Sequence, residues 1–552
     1  MRTPFQEYQA ANRRIAWMAV LTFLFMLVLA LVPAVRQVAG LERGSTVDFH
    51  RDEAFLRALL EGHYGGDPVY LGGGMWYTPL VTWLEGAVAW LWGMPASLAI
   101  VQLGPYANLL APVSFFLMCW YFLGPVRAVA ASAVFLFFII GQAPSYVVAT
   151  YSARLIPVSF SQWFFYVELV LIDRAFRSKR IAPSMLAGFW AGISFLSHAG
   201  PAMISVLIIA ILTIREVASS VRGGDRPAAK ARVLASLWAG AAFIVATLPL
   251  TWHLLTNRSV ASNDAGFMYT YYGLTLRHIR ILAFHTASVI YLIATMGIWA
   301  LWRKRAWSGA SPLGSTILFA WPLVAMALFL YSYAAAVLRM HYGLPVHPLL
   351  PTFHFIFYFT AALSVFAGVA VVELVKWAWR RNPAGNGEGP EHGNPVQAFA
   401  FFVAVALACT LHYPAYVTRR DATSVRNRDL AFQADTAGAM AVDLVNRRVP
   451  WAGVVLCDKD LAVWPMLPAG RHVVATASTM GNPYMDQARR DADRDLLMKG
   501  MEQPMGGTAA LLQQYQVSHL LVRPADLARL PGAARWFPHE VFRNSGYVLL
   551  SR

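Results

Sequence analysis

Apolar runs of about 20 residues recur along most of this chain, and they restrict its fold more than any other sequence feature. A run of that length can cross the hydrocarbon core of a bilayer as one helix. Only 13% of the 552 residues are charged, whereas about 25% is usual in a soluble domain. The sequence therefore predicts a polytopic α-helical membrane protein with about 11 to 13 transmembrane helices.

The apolar runs also predict where each span lies. The amino terminus is expected inside and the carboxyl-terminal segment outside, whereas an even number of crossings would leave both on one side. At least one segment between residues 79 and 173 must therefore be shorter than a full crossing, or be no span at all. Pro144 and Pro157 bracket the region where we expect it, because proline breaks a helix and frees backbone groups. The predicted spans lie near residues 15–35, 79–94, 97–122, 126–142, 156–172, 182–197, 199–214, 233–255, 279–302, 312–334, 350–377 and 395–412.

Basic residues cluster in short loops between these runs, and such clusters face the cytoplasm. They account for much of the net charge of +16, so we predict no nucleic-acid partner. The amino terminus is then cytoplasmic in the inner (plasma) membrane, while segments 36–78, 256–278 and 335–349 lie outside. The clusters occupy residues 174–180, 215–232, 303–305 and 376–381.

The character of the sequence changes after residue 413, where the long apolar runs stop. Strand-like segments such as "AGVVLCDKD" and "SHLLVRP" alternate there with amphipathic helical segments such as "MDQARRDADRDLLMKG". We therefore predict a transmembrane module over 1–413, including a first extracytoplasmic loop over 36–78, and a small extracytoplasmic α/β domain over 414–552. The three cysteines show neither metal-ligand nor disulfide-framework spacing.

Charged residues are concentrated in the first outer loop, directly after the first apolar run. The stretch "VDFHRDEAFLRALLEG" predicts a short helix that ends at Gly62 and carries Asp48, Asp52 and Glu53 near its amino end. Carboxylates favour the positive end of the helix dipole, but two of them would suffice. A carboxylate can also activate a hydroxyl as a base, and nearby cations can stabilise a phosphate leaving group. The loop therefore indicates chemistry rather than solvation alone.

The order of features around this loop resembles that of the GT-C glycosyltransferases, membrane enzymes that use polyprenyl-phosphate-linked sugars. An anchor helix is followed by Asp48-Phe49-His50, a short helix, and an aromatic-proline entry to the next span at Tyr77 and Pro79. Many spans and an outer domain follow.

This resemblance implies an inverting sugar transfer on the outer face of the membrane, in assembly of the cell envelope. The donor would be a polyprenyl-phosphate-linked sugar, and the acceptor a glycan, a lipid or a protein. Asp48 best matches the expected catalytic carboxylate, and Asp52 and Glu53 are alternatives. No "WWD" sequence is present, which argues against the oligosaccharyltransferase branch. We assign no metal ligands, and a divalent cation such as magnesium or manganese is left open.

Other residues near the outer surface are predicted to bind substrate. Arg154 lies beside the suspected short segment, where irregular backbone would line a cavity, and arginine suits bidentate contact with phosphate. For His198, which lies between two apolar runs, helix packing is the simpler explanation. The predicted substrate-binding residues are His50, Arg51, Tyr77, Arg154, His198, Arg339, His341 and His347.

Two other functions remain as alternatives. A multi-span transporter or flippase would place polar residues near the middle of the membrane and show two similar halves. A non-catalytic subunit of an envelope-assembly complex would tolerate loss of the loop carboxylates.

Overall fold

Helices dominate the protein. The computed structural model describes the chain except for residues 1–3, 140–147, 179, 257–287, 304–311, 347–348, 382–393, 421–422 and 478–479. The described α-helices are α1 Pro4–Val38, α2 Val47–Leu60, α3 Leu80–Trp92, α4 Ala96–Ala107, α5 Leu110–Leu123, α6 Pro125–Ala133 (continued by a π-helix, Val134–Phe138), α7 Pro157–Phe160, α8 Gln162–Ser178, α9 Ile181–Ser197, α10 Ala199–Arg222, α11 Arg226–Thr256, α12 Ser288–Arg303, α13 Pro312–Tyr342, α14 Phe353–Arg381, α15 Pro395–Arg420, α16 Thr423–Gln433, α17 Thr436–Arg448, α18 Lys459–Leu461 (continued by a π-helix, Ala462–Met466), α19 Leu467–Ala469, α20 Gln487–Glu502, α21 Thr508–Gln514, α22 Pro524–Leu527 and α23 Pro531–Trp536.

The apolar helices fall where the sequence predicts membrane spans, and the predicted polytopic α-helical class is confirmed. Within the described part of the chain, four helical segments are apolar but short: Leu80–Trp92, Pro125–Phe138, Ile181–Ser197 and Val289–Arg303. Seven are long and apolar enough to cross a membrane: Asn12–Val38, Ala96–Leu123, Ala199–Arg222, Arg226–Thr256, Leu313–Tyr342, Phe353–Trp379 and Pro395–Thr418.

The predicted break near Pro157 is present. Helix α7 has only four residues, and the segment 148–156 before it is non-helical although it is mostly buried. Buried backbone outside a helix needs hydrogen-bond partners. Asn108, between α4 and α5, supplies two: its side-chain amide donates to the carbonyl oxygens of Ser152 at 3.0 Å and Arg154 at 2.8 Å. Pro144 lies outside the described residues.

One compact unit comprises residues 1–37, 104–247 and 269–423. Glycines allow its helices to approach closely, as small residues do in membrane proteins generally. A side chain at Gly188 in α9 would collide with the backbone of Ala239 in α11, and one at Gly368 in α14 with the backbone of Ala131 in α6. Packing of this unit therefore depends on backbone-to-backbone contact.

The second compact unit comprises residues 38–103, 248–268 and 424–552, and it contains a five-stranded sheet in the order β2-β1-β3-β5-β4. Strand β1 is parallel to β2 and β3, whereas β5 is antiparallel to both β3 and β4. The predicted small α/β domain is thereby confirmed. The strands are β1 Val454–Leu456, β2 His472–Val473, β3 Val517–Val522, β4 His539–Arg543 and β5 Val548–Ser551.

The first loop contributes to the hydrophobic core of this second unit. Ala54 of α2 and Tyr70 pack in one cluster with Val442 of α17, Val455 of β1 and Leu549 of β5. Residues from the two ends of the sequence therefore share one core. The division of the sequence into domains at residue 413 stays a prediction.

Asp67 fixes the loop to the carboxyl-terminal segment. Its two carboxylate oxygens accept hydrogen bonds from the backbone N–H of Val69 and from the side-chain amide of Asn482, both at 2.9 Å. Its own N–H donates to the carbonyl oxygen of Gly73 at 2.9 Å. Burial raises the pKa of Asp67 to about 6, although these hydrogen bonds favour the ionised form.

Candidate active site

Helix α2 forms as predicted, but it does not lie with its charged residues in water. His50, Arg51, Asp52 and Glu53 are all buried, as are the neighbouring apolar side chains. Buried charges are costly unless they are paired. The arrangement of partners on α2 therefore decides which of these residues can do chemistry.

Arg51 is the centre of the charged cluster. Its Nη1 lies 3.1 Å from Oδ1 of Asp48, and its Nε and Nη2 donate to Oδ1 of Asp52 at 3.1 and 3.0 Å. Nη2 also donates to the hydroxyl of Tyr77. The structure thus brings four predicted site residues into one group, which we call the Arg51 cluster: Asp48, Arg51, Asp52 and Tyr77.

The two carboxylates of this cluster differ in exposure. The side chain of Asp48 is 50% exposed, whereas that of Asp52 is 2% exposed. Burial raises the pKa of Asp52 to about 6, and the Arg51 guanidinium opposes this shift. Among the described residues, Oδ2 of Asp52 has no hydrogen-bond partner. Of the two carboxylates, Asp48 is therefore the one that is accessible from outside the cluster.

Glu53 belongs to a second arginine-centred group. Its Oε1 accepts from Nε and Nη2 of Arg57 at 3.1 and 2.8 Å. Arg57 also contacts Asp443 of α17 at 3.1 Å. This geometry engages Glu53 in structural ion pairing.

His50 is packed between aromatic rings. The centroid of its ring lies 5.2 Å from those of both Phe432 and Trp464. Its Nε2 lies 3.2 Å from the carbonyl oxygen of Gly44. Burial lowers the pKa of His50 to about 4, so its ring is neutral at pH 7. Substrate binding by His50 stays a prediction.

Sequence reasoning missed Glu85, which lies in α3 and is fully buried. Neither of its carboxylate oxygens has a hydrogen-bond partner among the residues that the structure describes. The available signal was a single carboxylate within the apolar run "LVTWLEGAVAWLW", since ionisable residues in such runs are rare and costly.

A polar cavity of about 270 Å³ lies elsewhere in the second unit. The glycine-rich turn 72–74 forms one wall, and His253, Asn482 and Tyr484 contribute side chains. A smaller cavity, of about 20 Å³, borders Tyr77.

The other predicted substrate-binding residues belong to the first unit. Arg154 is half-buried in the irregular segment before α7, Arg339 is half-buried near the end of α13, and His341 is exposed beside it. His347 lies outside the described residues. These assignments stay predictions.

His198 lies in a half-buried histidine pair that the sequence did not reveal. Its Nδ1 accepts a hydrogen bond from the N–H of Gly200 at 3.1 Å. Its ring centroid is 4.5 Å from that of His354 in α14. This geometry agrees with a packing position for His198.

Solved structures with a similar fold are known. The Archaeoglobus fulgidus oligosaccharyltransferase, tethered to an acceptor peptide containing the NVT sequon, has a TM-score of 0.54 at 12% identity, and the match covers 93% of this chain and 72% of that protein. The same protein in complex with Zn and sulfate has a TM-score of 0.52 at 12% identity, with coverages of 93% and 71%. ArnT from Cupriavidus metallidurans bound to undecaprenyl phosphate has a TM-score of 0.50 at 13% identity, with coverages of 96% and 97%.

No protein-family model and no curated protein sequence matches the chain. At these low identities, the structural likeness concerns the fold. It confirms the resemblance that the first loop indicated: the chain has the fold of the GT-C glycosyltransferases.

Proposed function

We propose that the protein transfers a sugar from a polyprenyl-phosphate-linked donor to an acceptor hydroxyl on the outer face of the membrane. The GT-C fold supports this activity, and ArnT, which shares the fold, has been observed with undecaprenyl phosphate. One observation carries the proposal: Asp48 is a half-exposed carboxylate on the first outer loop, bound by the largely buried Arg51.

Asp48 acts as the general base. The acceptor hydroxyl gives its proton to Asp48 while its oxygen attacks the anomeric carbon of the donor sugar. The bond from that carbon to the donor phosphate oxygen breaks, and its electron pair leaves with the polyprenyl phosphate. A single displacement of this kind inverts the configuration at the anomeric carbon.

Arg51 positions the base. A guanidinium is planar and forms directed hydrogen bonds, so Asp52 on one side of it and Asp48 on the other hold each other in place. Asp52 is too buried to meet an acceptor, and Glu53 is paired with Arg57. For this reason we assign the base to Asp48 rather than to either alternative.

The departing phosphate needs cations to stabilise its charge. We assign this role to Arg154 or Arg339, both half-buried in the first unit. His198, His341 and His347 remain further candidates for contact with donor or acceptor. The acceptor itself is a glycan, a lipid or a protein.

The described residues do not fit a divalent metal. They contain no group of three His, Cys, Asp or Glu side chains that could hold an ion, and Arg51 already engages both Asp48 and Asp52. A guanidinium at that position repels a second cation. The mechanism above therefore assigns no step to a metal, although Zn is present in a solved oligosaccharyltransferase.

We place the protein in the inner (plasma) membrane, with a cytoplasmic amino terminus. The basic loops between the spans support this orientation, and it puts Asp48 and the five-stranded sheet on the outer side.

The test is a transfer assay in liposomes, using a panel of radiolabelled polyprenyl-phosphate sugars. Asp48→Asn should reduce transfer by about 100- to 10,000-fold, the usual effect of losing a general base. Glu42→Gln, at an exposed site in the same loop, is the matched control. Full activity of Asp48→Asn, Asp52→Asn and Glu53→Gln alike would exclude a loop carboxylate as base and favour a non-catalytic role.

A further inference from the structure

Glu85 is a buried titratable group of the second unit to which the mechanism gives no role. Glu85 is fully buried in α3, and the rest of the buried face of this helix is apolar or hydroxylic: Val81, Thr82, Gly86 and Ala89. A buried carboxyl group with no partner is strongly unfavourable. The residues around Glu85 should therefore show which group forms a hydrogen bond with its carboxyl group.

Helix α3 packs against α2 through this face. A side chain at Gly86 would meet Leu59 and Leu56 of α2. Asp52 lies one turn before Leu56 on the same side of α2, since residues four apart share a helix face. Asp52 is also the titratable group whose charge acts on Glu85. Glu85 precedes Gly86 in α3, so Asp52 and Glu85 both lie on the surfaces through which α2 and α3 pack.

Both of these side chains have buried oxygens without a hydrogen-bond partner in the described part of the chain. Oδ2 of Asp52 and both carboxylate oxygens of Glu85 are buried and have no hydrogen-bond partner among the described residues. Oδ1 of Asp52, by contrast, accepts two hydrogen bonds from Arg51. One proton shared between the carboxyl groups would satisfy atoms on both sides.

We propose that Glu85 is protonated and donates a hydrogen bond to Oδ2 of Asp52, which makes it a positioning residue for Arg51 and, through Arg51, for Asp48. This role rests on the proposed function. Two adjacent buried carboxyl groups cannot both be ionised, because each charge disfavours the other. A carboxylic acid kept neutral in this way can serve as a hydrogen-bond donor at neutral pH.

The charges around the pair explain which member is ionised. Arg51 contacts Asp52 directly, and Tyr77 and Asp48 face the same cluster from the loop and from the start of α2. The guanidinium favours a negative charge on Asp52. The proton therefore resides on Glu85, on the side away from Arg51.

Infrared spectroscopy tests the protonation without any assay of transfer. The difference spectrum between wild type and Glu85→Gln at pH 7 should contain the carbonyl band of one protonated carboxylic acid. A band of an ionised carboxylate instead, or no carboxyl band, would overturn the inference, whatever the enzyme's substrate is.

Variants then test the positioning. Gln at position 85 can still donate to Asp52, so Glu85→Gln should keep transfer within about threefold of wild type at pH 7. Leu cannot donate, so Glu85→Leu should lower kcat by about tenfold or more with little change in KM for the donor. Equal losses in both variants would contradict hydrogen-bond donation by Glu85.

The alkaline limb of the pH profile supplies a signature that a packing role would not produce. As the pH rises, the wild type should lose transfer activity when the Asp52–Glu85 pair releases its remaining proton. The Glu85→Gln variant has no such proton and should keep its activity. Identical alkaline limbs would contradict the proposal, while absence of transfer in every protein, with the acid band present, would contradict only the proposed function.

Discussion

Two arginines of α2 have similar surroundings but different consequences for function. Arg51 and Arg57 are both largely buried, and each lies between one buried and one half-exposed carboxylate. Their buried partners, Asp52 and Glu53, are adjacent in the sequence. Composition and spacing alone would therefore not separate the two groups.

The half-exposed partners distinguish them. Asp443 comes from α17 and contacts Arg43 at 3.3 Å as well as Arg57 at 3.1 Å. These two contacts connect the first loop to α17. Asp48 is paired with Arg51 of its own helix. Under the proposed mechanism, the same kind of ion pair builds structure at Arg57 and presents a base at Arg51, depending on where its exposed member comes from.

The largest expected effect is on sugar transfer, and it distinguishes the two half-exposed carboxylates, Asp48 and Asp443. Asp48→Asn should reduce sugar transfer by about 100- to 10,000-fold because the base is lost, while Asp443→Asn should stay within about threefold of wild type. Steady-state transfer in liposomes measures both. Equal losses in the two variants would show that α2 needs its ion pairs for folding and not for catalysis.

The next effect concerns the guanidinium geometry. Arg51→Lys should lower kcat by about 10- to 100-fold, since an ammonium cannot bind Asp48 and Asp52 with the same directed hydrogen bonds. Arg57→Lys should change kcat by less than about threefold. A larger loss for Arg57→Lys would reverse the assignment of the two groups.

The pH dependence of sugar transfer provides the next test, with an expected change of about tenfold in rate per pH unit. Burial raises the pKa of Asp52 to about 6, so Asp52 becomes neutral below that pH and releases Arg51. Transfer by the wild type should fall as the pH drops through about 6. The Asp52→Asn protein should show low activity without this limb, and a wild-type profile that is flat from pH 7 to 5 would contradict the role of Asp52.

The smallest effect is on stability. Asp443 is 43% exposed, and exposed ion pairs contribute little, so Asp443→Asn should lower the free energy of unfolding by about 1 kcal/mol. Thermal unfolding in detergent can measure this change, with Asp48→Asn as the matched variant. A larger loss for Asp48→Asn would mean that its ion pair is the more important for structure.

Much of the fold was accessible from the sequence because transmembrane helices follow from local hydrophobicity. Where the structure describes them, the apolar runs coincide largely with helices, and the helix at Val47–Leu60 follows from its periodicity and Gly62. The break near Pro157 follows from the chemistry of proline. The choice of Asp48 as base also came from a local property, its position after an anchor helix, and it stays a prediction.

Other features depend on contacts between distant parts of the chain. The burial of α2 arises from packing of Ala54 with residues such as Val442 and Leu549, and no local pattern reports it. Asp67 could be read as a solvated charge until its hydrogen bond with Asn482 was known. Glu85 gave a signal in its apolar run, but its relation to Asp52 required the packing of α2 on α3.

The shared core of the first loop and the carboxyl-terminal sheet has a consequence for biogenesis. Strand β5 lies between β3 and β4, and its Leu549 packs in the same cluster as Ala54. The loop is synthesised early, yet its core is incomplete until residues near 549 have been translated. The nascent protein should therefore remain inactive while it is being inserted, and acquire its activity as one of the last steps of its assembly.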